Sequence, residues 1–160
     1  MCKIELPDTI KMIITDFDGI VTDNCVYVGE NREMTRKLNF KDVMGFALAK
    51  RNGYKLGIIS GEKNSAIELI SDRFNIEEVH QNIRIKIDVL KKILLDYGLS
   101  EQEYLYIGDD VNDIECLEYA KYKITVPNAV DKVKNVVDIQ ITQNSGGDGA
   151  FREVIDCLVG

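Results

Sequence analysis

At 160 residues, 45% hydrophobic and 29% charged, the chain is sized for one soluble globular domain with a real core. Its 20 Lys and Arg against 27 Asp and Glu give a formal net charge of -7. With no basic stripe to neutralise a phosphate backbone, the charge argues against a nucleic-acid surface and a small ligand is expected. From Met1 to Lys11 there are Glu5, Asp8 and two lysines but no long apolar run, so neither a signal peptide nor a membrane span is expected, and the cytoplasm is the expected compartment.

Met12 to Thr15 reads as a buried strand that ends at Asp16 and breaks into Phe17-Asp18-Gly19. On a near-extended backbone, positions i and i+2 point to one side. Asp16 and Asp18 therefore face one cavity at the carboxyl end of a strand, where open α/β sheets bind ligands. Such a pair suits phosphoryl transfer, since one carboxylate can attack while the other moves a proton. An acidic surface turn is the plain alternative for an isolated Asp-x-Asp. An EF-hand is excluded, because the twelfth position counted from Asp16 is Tyr27 where a bidentate Glu is needed.

Val26 to Val28 and Met34 to Phe40, on either side of Gly29-Glu30-Asn31-Arg32, predict a β-hairpin, and Thr22 and Asp23 before it read as turn residues. Asp42 to Asn52 predicts a helix with Val43, Phe46, Ala47 and Ala49 on its apolar face and Gly53 at its end. Leu56 to Ile59 is a second apolar strand, ending in Ser60 and Gly61. Ser65 to Phe74 is the next helix, Val79 a short edge strand, and Ile85 to Tyr97 a helix with Lys86 at its start and Gly98 as its stop. Tyr104 to Ile107 runs into Gly108-Asp109-Asp110 and Asp113. Asp113 to Tyr119 is helical, Ile124 to Val126 a strand closed by Pro127, Asp131 to Val136 a brief helix and Ile139 to Ile141 a strand. Gly146-Gly147-Asp148-Gly149 leads into a closing helix, Ala150 to Leu158.

Strands alternating with helices imply βαβ units and a parallel sheet, an α/β class. Only 44 residues lie from Asp16 to Ser60 and 26 from Ser60 to Lys86, which leaves no room for a cap; residues 1–160 read as one domain. Water must then be excluded by the hairpin or by another subunit. Cys2, Cys25, Cys116 and Cys157 lack metal-site spacing and are expected to be free buried thiols rather than disulfides. His80, the single histidine, is expected to close an edge strand; a His-based triad or zinc site lacks ligands.

Asp16-Phe17-Asp18-Gly19, Ser60, Lys86 and Gly108-Asp109-Asp110-x-x-Asp113 together resemble the haloacid dehalogenase-like phosphatases, whose motifs are Asp-x-Asp-Gly, Ser/Thr, Lys and Gly-Asp-Asp-x-x-Asp. The hairpin with Tyr27, Gly29, Glu30, Lys37 and Asn39-Phe40, and the tail Gly146-Gly147-x-Gly149-x-x-Arg152-Glu153, extend the resemblance to the capless phosphatases of 3-deoxy-2-ulosonate phosphates, of the eight-carbon octulosonate and nine-carbon, sialic-acid-type branches. One departure is Asp42-Val43, where that family usually has Asp-Gly.

The resemblance implies a Rossmann-like three-layer fold with a hairpin flap, no cap domain, and two-step transfer through an aspartyl phosphate. Asp16 is then the nucleophile and Asp18 the acid and base. Magnesium would be held by Asp16, Asp109 and the backbone carbonyl of Asp18, with Asp110 and Asp113 orienting ligands and loop from behind. Ser60 would bond the phosphoryl oxygens and Lys86 neutralise the transition state. For Asp113 a helix cap, for Lys86 a solvated helix lysine and for Arg152 an exposed helix arginine are the structural alternatives. In that family four subunits form a ring and each tail enters a neighbouring site, which implies a homotetramer, with Arg152 as a carboxylate clamp across the boundary. Gly61 and Glu62 would meet substrate. Octulosonate-type relatives usually carry a basic residue directly after the Ser/Thr-Gly pair, whereas Glu62 followed by Lys63 resembles the nine-carbon branch.

Two rivals come from other classes. A response-regulator receiver domain also joins aspartate, magnesium, hydroxyl and lysine on a parallel sheet, but its acidic pair and its phospho-acceptor lie on different strands. A non-catalytic tetramerisation module, as found in some sialic-acid-activating transferases, would not need Asp16, Asp18, Ser60, Lys86 and Asp109 intact.

Overall fold

The computed structural model describes residues 2–160; Met1, the first residue of the amino-terminal stretch read above, lies outside them. Eight strands and six helices follow in the order β1 (Met12–Thr15), β2 (Tyr27–Val28), β3 (Met34–Thr35), α1 (Phe40–Arg51), β4 (Lys55–Ile59), α2 (Ser65–Phe74), β5 (Glu78–His80), α3 (Lys86–Tyr97), β6 (Tyr104–Ile107), α4 (Ile114–Tyr119), β7 (Tyr122–Thr125), α5 (Asp131–Lys134), β8 (Gln140–Ile141) and α6 (Ala150–Val159). Six strands form one sheet in the order β5-β4-β1-β6-β7-β8, parallel throughout, while β2 and β3 form a separate antiparallel flap.

The sheet is α/β for a simple reason. Residues Met12 to Thr15 and Tyr104 to Ile107 are buried at every position, as continuous apolar runs must be when helices cover both faces of a sheet. On one side α1 packs against α2 and α6; α3 and α4 pack together as a second group. Phe46 of α1 stacks on Phe151 of α6 at 4.3 Å between ring centroids. Gly45 permits that approach, since a Cβ there would press on the Phe151 ring at 3.1 Å and on the Arg152 backbone at 3.3 Å.

Topology places the site. From β1 the chain moves outward through β4 to β5, then crosses to β6 and continues outward through β7 to β8 on the other side. The order reverses around β1, and the crevice beyond the carboxyl ends of such strands is where open sheets bind ligands. Thr15 is level with Ile58 of β4 and Ile107 of β6, so the chain leaves these three strands nearly together, at Asp16, Ser60 and Gly108. Between β1 and β4 the described residues hold only the flap and α1.

Several expectations are corrected. The flap's second strand stops at Thr35 instead of reaching Phe40, because Asn39 caps α1, its side chain accepting from the Lys41 N–H at 2.9 Å. Helix formation at Asp113 is preceded by a 3-10 turn, Val111–Asp113, capped reciprocally by Asp110 and Asp113. Cys2 and Cys157 are not free thiols: they are joined in a disulfide, with Cα atoms 5.6 Å apart across 155 residues of sequence. Spacing along the chain carries no information about that proximity. The amino-terminal segment lies beside β8, where Glu5 N–H donates to Gln140 Oε1 at 2.7 Å, and this brings Cys2 to α6. Of the remaining two thiols Cys116 is buried and Cys25 is exposed.

Candidate active site

Asp16 leaves β1 and the chain turns at once. Phe17 C=O accepts from the N–H groups of Ile20, Val21 and Thr22, which closes the turn over the strand end. Gly19 lies at φ 95° with its Cα against Asp109, and a Cβ there would overlap the Asp109 carboxylate. The tail braces the same turn from outside: Gly147 N–H donates to Ile20 C=O at 3.0 Å, and Gly146 lies so close to Gly19 C=O that no side chain fits between. The tail glycines thus have a task within their own chain.

Behind the turn lies a buried ionic cluster. Lys86 Nζ is 3.0 Å from Asp16 Oδ1 and 2.8 Å from Asp113 Oδ1. Tyr106 O–H also donates to Asp113 Oδ1, at 2.8 Å, and Asp113 Oδ2 accepts from the N–H groups of Asp109 and Asp110 at 3.1 and 3.4 Å. Both oxygens of Asp113 are therefore occupied, and its carboxylate holds Lys86 and the Asp109 loop in place. Burial opposes the charge on Lys86, but Asp16 and Asp113 more than offset it and hold its pKa above the ordinary lysine value.

The carboxylates have the opposite problem. Burial, with Asp113 and Asp109 nearby, pushes Asp16 well above the usual carboxylate range against the pull of Lys86. Asp109 is pushed up to about 6 by burial, with the charges of Asp113 and Asp110 adding to it. Oxygens of Asp16, Asp109 and Asp113 lie within 4.8 Å of one another, and Asp109 Oδ1 is buried without a hydrogen-bond partner among the described residues. An unsatisfied buried carboxylate oxygen beside a second crowded carboxylate is a donor set suited to a hard divalent cation, which would supply the missing charge. Since Asp113 is already saturated, Asp16 and Asp109 are the side chains free to hold it.

In front is a cavity of about 370 Å³ lined by Asp16, Asp18, Ser60, Gly61, Glu62, Asp109 and Asp110, so these seven expected residues share one space. Ser60 is buried and its Oγ accepts from the Glu62 N–H at 3.1 Å. Lys86 reaches the cluster from below as the first residue of α3. Arg152 does not line this space in its own chain: it borders a separate cavity of about 540 Å³ beside Cys2 and Cys157, and its Nε donates to Asp156 Oδ1 at 2.7 Å. Asp18's carboxylate lies outside the Asp16–Asp109–Asp113 trio.

Some site residues were not read from the sequence. Thr22, taken for a turn residue, is buried, and its Oγ1 donates to Asp18 Oδ1 at 2.9 Å as well as accepting from Gly19 N–H. Arg36 of the flap reaches the same Asp18 oxygen at 2.8 Å. Arg84 and Asn112 line the cavity wall. Asp42, buried at the start of α1, accepts from the N–H groups of Gly149 and Arg152 at 3.0 and 3.1 Å and so anchors the amino end of α6. The only sequence signal for Arg36 was a basic residue in a short flap strand, a pattern that surface strands share.

Residues 30–154 match the haloacid dehalogenase-like hydrolase family. The chain is 28% identical over 152 residues to the 3-deoxy-D-manno-octulosonate 8-phosphate phosphatase of Escherichia coli K12, covering 95% of this chain and 80% of that protein. Among solved structures, it resembles the 3-deoxy-D-manno-octulosonate 8-phosphate phosphatase of Moraxella catarrhalis in complex with magnesium, phosphate and KDO, at a TM-score of 0.89 and 28% identity over 95% of this chain and 87% of that one. A probable yrbi family phosphatase of Pseudomonas syringae pv. phaseolica gives a TM-score of 0.90 and 30% identity over 95% and 86% of the two chains. With its acidic crevice at the carboxyl ends of β1, β4 and β6, the chain belongs to the haloacid dehalogenase-like hydrolases.

Proposed function

We propose that the protein is a magnesium-dependent phosphatase of 3-deoxy-2-ulosonate sugar-acid phosphates, acting through an aspartyl phosphate on Asp16. The observation that carries this reading is the placement of Asp16 at the carboxyl end of β1, 3.0 Å from Lys86 Nζ and beside the unpartnered oxygen of Asp109. A carboxylate so placed is exposed to the cavity on one side and charge-compensated on the other. Its oxygen attacks phosphorus while the ester P–O bond breaks, and Asp18 gives a proton to the departing alkoxide. Asp18 then takes a proton from water as that water attacks phosphorus, the acyl phosphate P–O bond breaks, and Asp16 is restored with release of phosphate. Asp16, Asp109 and the Asp18 carbonyl would hold magnesium, whose charge would draw electron density from the phosphoryl oxygens. Ser60 and Lys86 hold those oxygens and offset their charge.

The rim supports the substrate class. Glu62 and Arg84 are both exposed on the cavity wall, offering an acceptor for hydroxyls and a cation for a second anionic group. Glu62 followed by Lys63 favours a nonulosonate 9-phosphate over an octulosonate 8-phosphate, and 28% identity to an eight-carbon phosphatase leaves rim positions free to differ. A homotetramer in the cytoplasm, with Arg152 of the tail meeting a neighbour's substrate, completes the proposal; Tyr27 of the flap, 73% exposed, and Phe40 at the start of α1, 81% exposed, offer the apolar surface. No helix is long and apolar enough to cross a membrane among the described residues.

Hydrolysis of p-nitrophenyl phosphate with magnesium and not with EDTA tests the activity, and a protein inert under both conditions favours the assembly-module reading instead. The ratio of kcat/KM for nine- and eight-carbon sugar-acid phosphates tests the substrate, and a clear preference for the shorter acid overturns the nine-carbon assignment.

A further inference from the structure

The flap reaches the catalytic machinery through one side chain. Arg36, just after β3, is 5% exposed at its side chain, and its Nε donates to Asp18 Oδ1 at 2.8 Å. Thr22 Oγ1 donates to the same oxygen at 2.9 Å. Among the described residues Asp18 Oδ2 has only the distant Asn64 Nδ2, at 3.5 Å. The two oxygens of one carboxylate are thereby made unequal: Oδ1 is held on two sides and Oδ2 is left loosely held. Among the described residues Arg36 makes no ion pair other than that with Asp18.

We infer that Arg36 is a positioning residue that, with Thr22, fixes Asp18 Oδ1 and dedicates Asp18 Oδ2 to proton transfer, so that acid catalysis depends on the flap being docked. The inference rests on the phosphatase reading above. A guanidinium suits the task, being rigid, planar and less strongly hydrated than an ammonium, and therefore at home in a nearly closed space. A carboxylate free to rotate would present its proton to the leaving oxygen for only part of the time, and misplacement of a catalytic group by even an ångström is felt in the rate. Because Arg36 acts on Asp18 and not on phosphorus, its loss weakens bond cleavage in proportion to how much the leaving group needs a proton. p-Nitrophenolate leaves unaided; an alkoxide does not.

The test uses the full-length, magnesium-loaded protein and three monoesters of similar shape, p-nitrophenyl, phenyl and benzyl phosphate. For each, kcat/KM reports the steps through ester cleavage, before water attacks the phosphoenzyme. In R36A the value for benzyl phosphate falls on the order of a hundredfold and that for p-nitrophenyl phosphate by less than about tenfold, as expected when acid assistance alone is impaired. R36K recovers part of the benzyl phosphate loss, and T22V reproduces the leaving-group dependence at smaller amplitude. Equal loss on all three esters, no loss on any, or a change confined to KM overturns the inference. Circular dichroism and thermal melting identify a variant that fails to fold, in which case R36Q and R36K decide. Wild-type protein that turns over none of the esters defeats the phosphatase reading instead, so the two failures are distinct.

Discussion

The buried cluster of Asp16, Lys86, Asp109 and Asp113 and the rim of Glu62 and Arg84 are parts of one site governed by different physics. In the cluster every group is withdrawn from bulk water, so the charges depend on one another: Lys86 serves both Asp16 and Asp113, and its removal would strand two carboxylates. On the rim each side chain stands in solvent, no neighbour enforces its identity, and substitution is tolerated by the fold. The difference teaches where to look for chemistry and where for choice of substrate: the reaction belongs to the part that cannot change and selectivity to the part that can.

The sharpest way to break that contrast is at Lys86. K86M leaves Asp16 and Asp113 buried without their cation, and the expected result is loss of turnover together with destabilisation of about 3–5 kcal/mol, measured by urea unfolding. D16N also abolishes turnover but melts close to or above the wild type, since it removes a crowded buried charge; substantial hydrolysis by D16N would end the covalent mechanism. D18N loses on the order of a hundredfold or more in kcat, the usual worth of acid–base assistance.

Metal removal sharpens the same point. Burial raises the carboxyls of Asp16 and Asp109 in the folded protein, Asp109 to about 6. Without metal, the fold keeps protons that the unfolded chain releases, so stability falls as pH rises from the ordinary carboxylate value through about 6. Excess magnesium favours the ionised carboxylates and reverses the trend. The Tm difference between magnesium and EDTA samples therefore widens across that window, and a difference independent of pH would show that these two carboxylates do not hold the ion.

On the rim, E62R leaves stability within about 0.5 kcal/mol and changes the ratio of kcat/KM for nine- and eight-carbon acids by roughly tenfold, the worth of one hydrogen bond or ion pair to substrate. An unchanged ratio exonerates Glu62. The smallest effect on the isolated chain is expected for Y27D, which is expected to shift sedimentation toward smaller species while p-nitrophenyl phosphate turnover persists; unaltered sedimentation separates the flap from assembly. Truncating the chain before Gly146 is no test of tail exchange, because α6 contributes Phe151, Val154 and Ile155 to the core.

The buried half of the site could be read from the chain because strand physics writes it linearly. Three apolar runs announce three strands, and a residue at the end of each must emerge at one edge of a parallel sheet, so Asp16, Ser60 and Asp109 converge by topology alone. Arg36 and Thr22 could not be read so, since their roles depend on how a flap and a turn fold back, and no periodicity encodes that. Asp42 was legible only as the start of a helix, because the backbone groups it accepts from lie more than a hundred residues on, at the amino end of α6. The Cys2–Cys157 bond belongs to the same class of long-range fact.

Bracing of the Asp16 turn by Gly146 and Gly147 also orders events in time. Residues near position 20 finish their packing only against residues near position 147, so during synthesis the nucleophile exists long before the wall that fixes it. Contacts so distant in sequence form late and slowly. A ribosome-bound fragment ending short of Gly146 would carry Asp16 and Asp18 on an unsettled turn, and competence for turnover would arrive only once residues near 147 had joined it.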